Sequence, residues 1–270
     1  MKQIRQIITS TLIVSSLMFT ACKKQPITPQ LPPPQPQQPT GKLAKLVYDT
    51  GAFDSLYYLA DGRIAKLINN IDPVNGDGVS YNFVYDATGK VERINSSEDR
   101  SYRYSYENGK VIAISEYINQ HKSSYKLFNY VNDVLTSMEI YVYNGAARGY
   151  EFSALHNYSF YPDGNLKEEV AYAVNAFTGQ LVKHMTIEYS DYDNKFNAEE
   201  LVRQVPYYFG IVRLKNNPGK RIVKRDVPNI TTIFNSIFTY DPQSKPMTKK
   251  FQYQDPSGVL IETNTLFYYY

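Results

Sequence analysis

The chain predicts an all-β fold: an antiparallel hairpin meander that forms a strongly curved sheet or barrel-like array, with at most one short helix. Three observations predict it. Tyrosine supplies 26 of the 270 residues and phenylalanine 13, with no tryptophan. Aromatic residues suit the half-buried surface of a sheet, and tyrosine keeps its hydroxyl wet while burying its ring. Alternating aromatic segments recur at about 20 to 30 residues along the chain, the spacing of a repeated hairpin. Asn-Gly and Asp-Gly steps lie between them, and such steps supply the positive φ that tight hairpin turns require.

The clearest unit is Tyr81-Asn82-Phe83-Val84-Tyr85-Asp86-Ala87-Thr88-Gly89-Lys90-Val91, continuing to Ile94. A second copy, 102–114, follows 21 residues later with Asn108-Gly109-Lys110-Val111 at its turn. Residues 57–67 fit the same outline through Asp61-Gly62-Arg63-Ile64. Weaker copies are Tyr158-Ser159-Phe160-Tyr161 before Asp163-Gly164, and Phe238-Thr239-Tyr240-Asp241-Pro242. Each reads as an aromatic strand, a polar turn and a second strand, so each unit buries itself against its neighbours.

The stretches between also read as strands: 124–131, 137–143, 170–175, 181–189, 230–238, 248–253 and 260–270. That makes about 14 to 18 strands, coiled or closed to protect their edges. One short helix is expected, capped by Asn197, favoured at its positive end by Glu199 and Glu200, and stopped after Val205 by Pro206. Across 102–114 neither face is purely polar: tyrosines line one side, while Arg103, Ser105, Ile112 and Ile114 share the other. Mixed faces predict a curved sheet or barrel with a partly solvated interior. A membrane-spanning barrel would show an apolar outward face on every strand, whereas Lys, Arg and Glu interrupt both faces here.

Units 81–94 and 102–114 resemble YD repeats, the β-hairpin units of Rhs-type shell proteins, whose motif is Y-x-Y-D-x-x-G-[RK]-[LIV]. Together with Phe19-Thr20-Ala21-Cys22, which resembles a lipobox, and the proline-rich stretch 23–41, these hairpins are similar to a family of Bacteroidota lipoproteins of unknown function with a porin-like β fold. The resemblance covers roughly 42–270 and implies a β architecture. It brings no activity and no functional residues.

The N-terminal region carries the lipoprotein pattern. Lys2 and Arg5 precede an apolar run, 7–19, too short for the roughly 20 residues that span a bilayer. Phe19-Thr20-Ala21-Cys22 resembles a lipobox, with Phe where Leu is usual, so cleavage is expected after Ala21 and lipidation at Cys22. Residues 1–21 are then a signal peptide, 22–41 a lipidated cysteine with a Pro/Gln-rich tether containing seven prolines, and 42–270 a single hairpin domain. Cys22 is the only cysteine, so the mature domain has no disulfide, thiol catalysis or cysteine-ligated metal. Cleavage removes Lys2 and Arg5 and no acid, so Lys+Arg falls from 29 to 27 against 26 Asp+Glu. A nearly neutral domain gives no footprint for nucleic acid. Lys23, in place of the Asp associated with inner-membrane retention, points to the outer membrane, on its periplasmic or outer face.

Catalytic signals are sparse. His121, His156 and His184 lack ligand spacing and read as surface or loop residues, and no Gly-x-Ser-x-Gly elbow occurs. Glu168 and Glu169 are adjacent and therefore point to opposite faces of a strand, so they do not form a glycosidase pair by themselves. Asp72, Asn75 and Asp77 are weak calcium candidates in a hairpin loop that lacks EF-hand spacing. Six cations fall within 213–225, read as a solvated loop with flanking strands. Asp54-Ser55-Leu56 resembles a three-residue O-glycosylation signal, with Ser55 the acceptor. The expectation is a lipid-anchored envelope protein without catalysis or cofactor. Its expected partners are the membrane, through the lipid, and either a glycan, bound through exposed tyrosines, or an envelope protein, with no nucleic acid. The alternatives are a polymer hydrolase, which requires two carboxylates or a His and a carboxylate converging in one cleft, and an assembly partner.

Overall fold

The computed structural model describes residues 41–72, 77–195, 197, 199, 204–207, 212, 214–254 and 259–270. Among them are sixteen strands: β1 (Lys45–Tyr48), β2 (Phe53–Tyr58), β3 (Ile64–Asp72), β4 (Asp77–Tyr85), β5 (Val91–Ser96), β6 (Arg100–Glu107), β7 (Lys110–Ile118), β8 (His121–Val131), β9 (Val134–Tyr143), β10 (Tyr150–Phe160), β11 (Leu166–Val174), β12 (Leu181–Tyr192), β13 (Pro218–Arg225), β14 (Ile230–Tyr240), β15 (Pro246–Gln254) and β16 (Leu260–Tyr269). Every strand pairs antiparallel with its neighbour in sequence, and β1 pairs with β16, so the meander is a closed barrel. Closure leaves no edge strand to aggregate. The signal peptide, Ala21, Cys22 and the tether to residue 40 lie outside the described residues.

The predicted turns are where the hairpins bend. Asn108 (φ 49°) and Gly109 (φ 82°) both take positive φ, the two-residue hairpin that Asn-Gly favours. In the other full units an aspartate organises the turn. Asp86 Oδ1 accepts from the backbone N–H groups of Thr88 and Lys90 at 2.8 and 3.0 Å, and Asp241 Oδ1 does the same for Gln243 and Lys245.

A β-bulge follows each of these turns. Tyr106 pairs with Val111 and Ser105 with Ala113, so Ile112 is the extra residue. The same shift occurs at Tyr57/Tyr58, Val84/Tyr85, Asn129/Tyr130, Ser159/Phe160 and Thr239/Tyr240. One extra residue changes the phase of the second strand. Val91 and Ile94, or Val111 and Ile114, three apart in sequence, thus both turn into the core. This corrects the expectation for 102–114: Ile114 pairs with Tyr104 and is buried beside it, not opposite the tyrosines.

Neighbouring hairpins are joined by a second recurring device. Tyr106 donates its hydroxyl to the carbonyl of Val91 in the preceding hairpin (2.9 Å), while Lys90 lies 5.3 Å from the same ring. Tyr85 does so with Ile64 and Arg63 (2.7 and 4.4 Å), and Tyr130 with Val111 and Lys110 (2.9 and 5.2 Å). Tyr58 bonds Leu43 under Lys42, and Tyr270 bonds Pro246 under Lys245. Thus at these five junctions the basic and aliphatic residues after a turn serve the next tyrosine, by a cation–π contact and a hydrogen bond. Gly41-Lys42-Leu43 is the second half of a unit whose aromatic half is β16, so the closing seam joins two ends of the chain. At one junction, β9 to β10, both contacts are missing: Val134 replaces the cation and Phe160 the tyrosine.

The two barrel ends differ. At the end carrying these turns the interior is filled by Tyr58, Ile64, Ile94, Val111, Leu135 and Leu166, all at most 5 % exposed. The long β12–β13 connection adds buried Val205 and Val212, and Tyr207 stacks on Phe128 at 4.4 Å. Within it, Asn197 Oδ1 accepts from Glu199 N–H at 2.8 Å, as a helix cap does, and Gln204 is helical. The remainder of the expected helix, with Glu200, lies outside the described residues. At the other end, inward-facing Ile118, Val142 and Val182 are 38–42 % exposed and line an open mouth. Among the described residues the barrel is thus cup-like, filled at one end and open at the other. Its outer wall carries Lys45, Arg93, Arg103, Glu139, Glu188 and Lys250, placed outward by strand register, and so has no unbroken apolar belt.

Candidate functional site

The sequence-named residues do not form one site. Ser55 lies on the outer wall in β2, half-buried, while the preceding Asp54 points inward. Asp72 and Asp77 are cross-strand partners at the ends of β3 and β4, and Asn75 lies outside the described residues. Among the described residues no three His, Cys, Asp or Glu side chains are placed to share a metal ion. The cationic stretch runs from a loop into a strand. Its second half is strand β13, with Lys220 and Lys224 outward and Arg221 and Arg225 facing the cup, and Arg213 lies outside the described residues.

On the outer wall, β8 to β10 bring together a cluster of aromatic rings that the repeat does not explain. Tyr125 and Tyr141 are cross-strand partners stacked at 4.7 Å with planes 4° apart. Tyr150 meets Tyr125 edge-on at 5.3 Å, Phe152 meets Tyr141 at 5.6 Å, and Tyr143 lies 5.4 Å from Tyr150. Lys122 sits 4.1 Å from the Tyr125 centroid and 5.2 Å from that of Tyr150, whose hydroxyl donates to the Lys122 carbonyl at 2.8 Å. Desolvation beside these rings lowers the pKa of Lys122. Tyr141 donates to Glu139 at 2.8 Å, and this hydrogen bond raises the tyrosine pKa. Tyr143 and Tyr150 are 45 % and 37 % exposed, so rings face solvent beside a cation and a carboxylate. Register explains the assembly: Tyr141 and Tyr143 alternate outward on β9, as do Tyr150 and Phe152 on β10. That alternation was readable in the sequence, but β10 was recognised there only from Tyr158 onward.

Inside the cup, charged side chains are mostly paired. His156 Nδ1 lies 2.7 Å from Glu169 Oε1, which corrects the expectation of a surface or loop position for this histidine. His121 and His184 are exposed. Glu169 faces inward and Glu168 outward, as adjacent strand positions must. Asp54 accepts from Asn69 Nδ2 at 2.6 Å, and burial raises its pKa. Lys249, 3.6 Å from Glu199 and lying against Phe238 and Phe251, is shifted down by burial. Nearer the mouth, Arg100 bonds Glu116 at 3.0 Å, and Ser124 donates to the other oxygen of Glu116 at 2.9 Å. The structure thus does place one His with one carboxylate. Among the described residues no hydroxyl is hydrogen-bonded to His156 to act as a nucleophile.

Neither a family model nor a curated protein sequence matches the chain. Solved structures do. A porin-like protein from Bacteroides uniformis ATCC 8492 superposes with a TM-score of 0.57 at 11 % identity, covering 86 % of this chain and 97 % of its own. A porin-like protein from Bacteroides vulgatus ATCC 8482 gives 0.46 at 14 % identity, over 84 % and 98 %. A protein with unknown function from Bacteroides fragilis NCTC 9343 gives 0.35 at 14 % identity, over 63 % and 91 %. At these identities the likeness is one of fold, and the first structure shares the barrel architecture over most of this chain.

Proposed function

We propose that this chain is a lipid-anchored protein of the bacterial outer membrane with a non-catalytic binding role, recognising a glycan through the outer aromatic wall of its barrel. The observation that carries the reading is the cluster of Tyr125, Tyr141, Tyr143, Tyr150 and Phe152 with Lys122 and Glu139 at its margin. The C–H faces of a sugar ring dock onto the electron-rich face of an aromatic ring, and flanking charged groups hydrogen-bond its hydroxyls. An exposed aromatic patch on a sheet otherwise studded with charge marks an interaction surface. Lipidation at Cys22, cleavage after Ala21 and the tether 22–41 would present that wall away from the bilayer. Ser55 as a glycosylation acceptor belongs to the same envelope setting. The lipoprotein pattern at the N terminus and the porin-like fold of the structural neighbour support this placement.

The test is a polysaccharide and glycan array probed with the full-length protein, followed by Tyr143→Ala combined with Tyr150→Ala. The double variant is expected to lose at least about tenfold in affinity, or about 1.4 kcal/mol. Its Tm should stay within a few degrees, because both rings are substantially exposed. Absence of any glycan ligand, or binding indifferent to both substitutions, would sink the reading. A hydrolase of envelope or scavenged polymers is the second reading, favoured by His156 beside Glu169 in the cup. It requires polymer cleavage that His156→Ala abolishes.

A further inference from the structure

Inside the cup, among the described residues, Lys126 is a cation without a salt bridge or hydrogen bond of its own. Lys126 lies on β8 facing inward, and its cross-strand neighbours are Ile114 on β7 and Ile140 on β9, neither of which can neutralise it. The nearest carboxylate, Glu116, is already occupied: Arg100 holds Oε1 at 3.0 Å and Ser124 holds Oε2 at 2.9 Å, with the Tyr102 hydroxyl 3.5 Å from Oε1. Two cations therefore share one anion in a recess of about 330 Å³ lined by Tyr81, Arg100, Tyr102, Glu116 and Lys126. Withdrawing an ammonium from water is unfavourable unless an anion compensates it, and burial indeed lowers the pKa of Lys126. The recess lies at the lower end of the size range of small-molecule sites. Its two tyrosines add ring faces and hydroxyls to the positive charge.

We infer that the recess formed by Tyr81, Arg100, Tyr102, Glu116 and Lys126 binds the carboxylate of a small sugar acid, with Lys126 as the principal counter-ion. The carboxylate completes the charge balance that Glu116 leaves open, and the tyrosine rings and hydroxyls take the sugar ring. This site faces the lumen and Tyr125 the outer wall, because Tyr125 alternates with Lys126 on β8. It is therefore independent of the outer-wall reading: Tyr143→Ala with Tyr150→Ala should leave it untouched, and Lys126 variants should leave outer-wall binding untouched.

The experiment is calorimetric titration of the purified full-length protein with sodium glucuronate at low ionic strength, with glucose and sodium acetate as comparison probes. The expected result is saturable single-site binding of glucuronate, with glucose and acetate each weaker by about tenfold or more. Lys126→Met should weaken glucuronate by about tenfold or more, while Lys126→Arg, which keeps the charge, should retain binding. Methionine suits the apolar neighbours Ile114 and Ile140, and an unchanged or raised Tm shows that the variant is folded. No saturable glucuronate binding, or equal binding by wild type and Lys126→Met, would overturn the assignment. Acetate binding as tightly as glucuronate, or glucose doing so, would overturn the sugar-acid class.

Discussion

Tyr106 and Tyr125 sit on strands of one sheet two places apart, yet the first seals a joint and the second lies in the open. Tyr106 points inward and donates to Val91, whereas Tyr125 points outward into the aromatic cluster. Replacing Tyr106 by Phe keeps the ring and the Lys90 contact but strands the Val91 carbonyl, which is expected to cost about 1 to 2 kcal/mol in urea unfolding. Phe160→Tyr is the reciprocal case, supplying a hydroxyl at the junction where the repeat lacks one, with an expected gain of about 0.5 to 1 kcal/mol. Asp54 gives a pH-dependent prediction. Its pKa is raised because burial penalises the charged form. Its folded state therefore binds a proton more readily than the unfolded chain, and stability from that preference is present at acid pH and lost as pH rises through the folded pKa. Asp54→Asn should raise Tm at pH 7, and the advantage should vanish once acid protonates Asp54 in the parent. A lower Tm at neutral pH would contradict this.

At the scale of the element, the hairpins were legible because their turn chemistry is local. Asn108-Gly109 and Asp61-Gly62 name the turns, and Lys90-Val91 or Lys110-Val111 name the strands that follow. What local chemistry does not state is register. The bulges at Ile112 and its counterparts shift the phase, so a strict period of two assigned Ile114 to the wrong face. β13 was expected only as a strand flanking a cationic loop, without bounds, for a related reason: with Arg221 inward and Lys220 outward it lacks the alternation that marks a half-buried strand. The burial of Val205 and Val212, in the β12–β13 connection, is a long-range fact with no local signature. The same limit hid the candidate site, since inward and outward tyrosines are one letter in a sequence. Gly109→Ala tests the turn. Nothing approaches a Cβ built there within 4 Å, so the penalty is conformational, from φ of 82°, and about 1 to 2 kcal/mol is expected. A neutral result would mean that the hairpin tolerates another turn type.

For the molecule as a whole, a wall of buried tyrosines couples stability to alkaline pH. Burial pushes Tyr48, Tyr85, Tyr102, Tyr106 and Tyr189 up to about 12 from an ordinary value of 10.0. The unfolded chain gives up these protons first, so stability is fully present below pH 10 and lost as pH rises toward 12. Tyrosinate absorbance at equilibrium should therefore show an early exposed fraction near pH 10 and a late, cooperative fraction that coincides with loss of the β signal in circular dichroism. Simple titration of every tyrosine near 10 with the sheet intact would refute the burial pattern.

The seam between β1 and β16 also imposes an order in time. Lys45 faces Tyr269, so the first strand to leave the ribosome or a secretion channel finds one of its partners only after nearly all the rest has followed. Until then the growing sheet has two open edges, each able to capture another chain, and contacts of such sequence separation form slowly. The nascent barrel thus has a vulnerable interval that ends only when its last strand arrives.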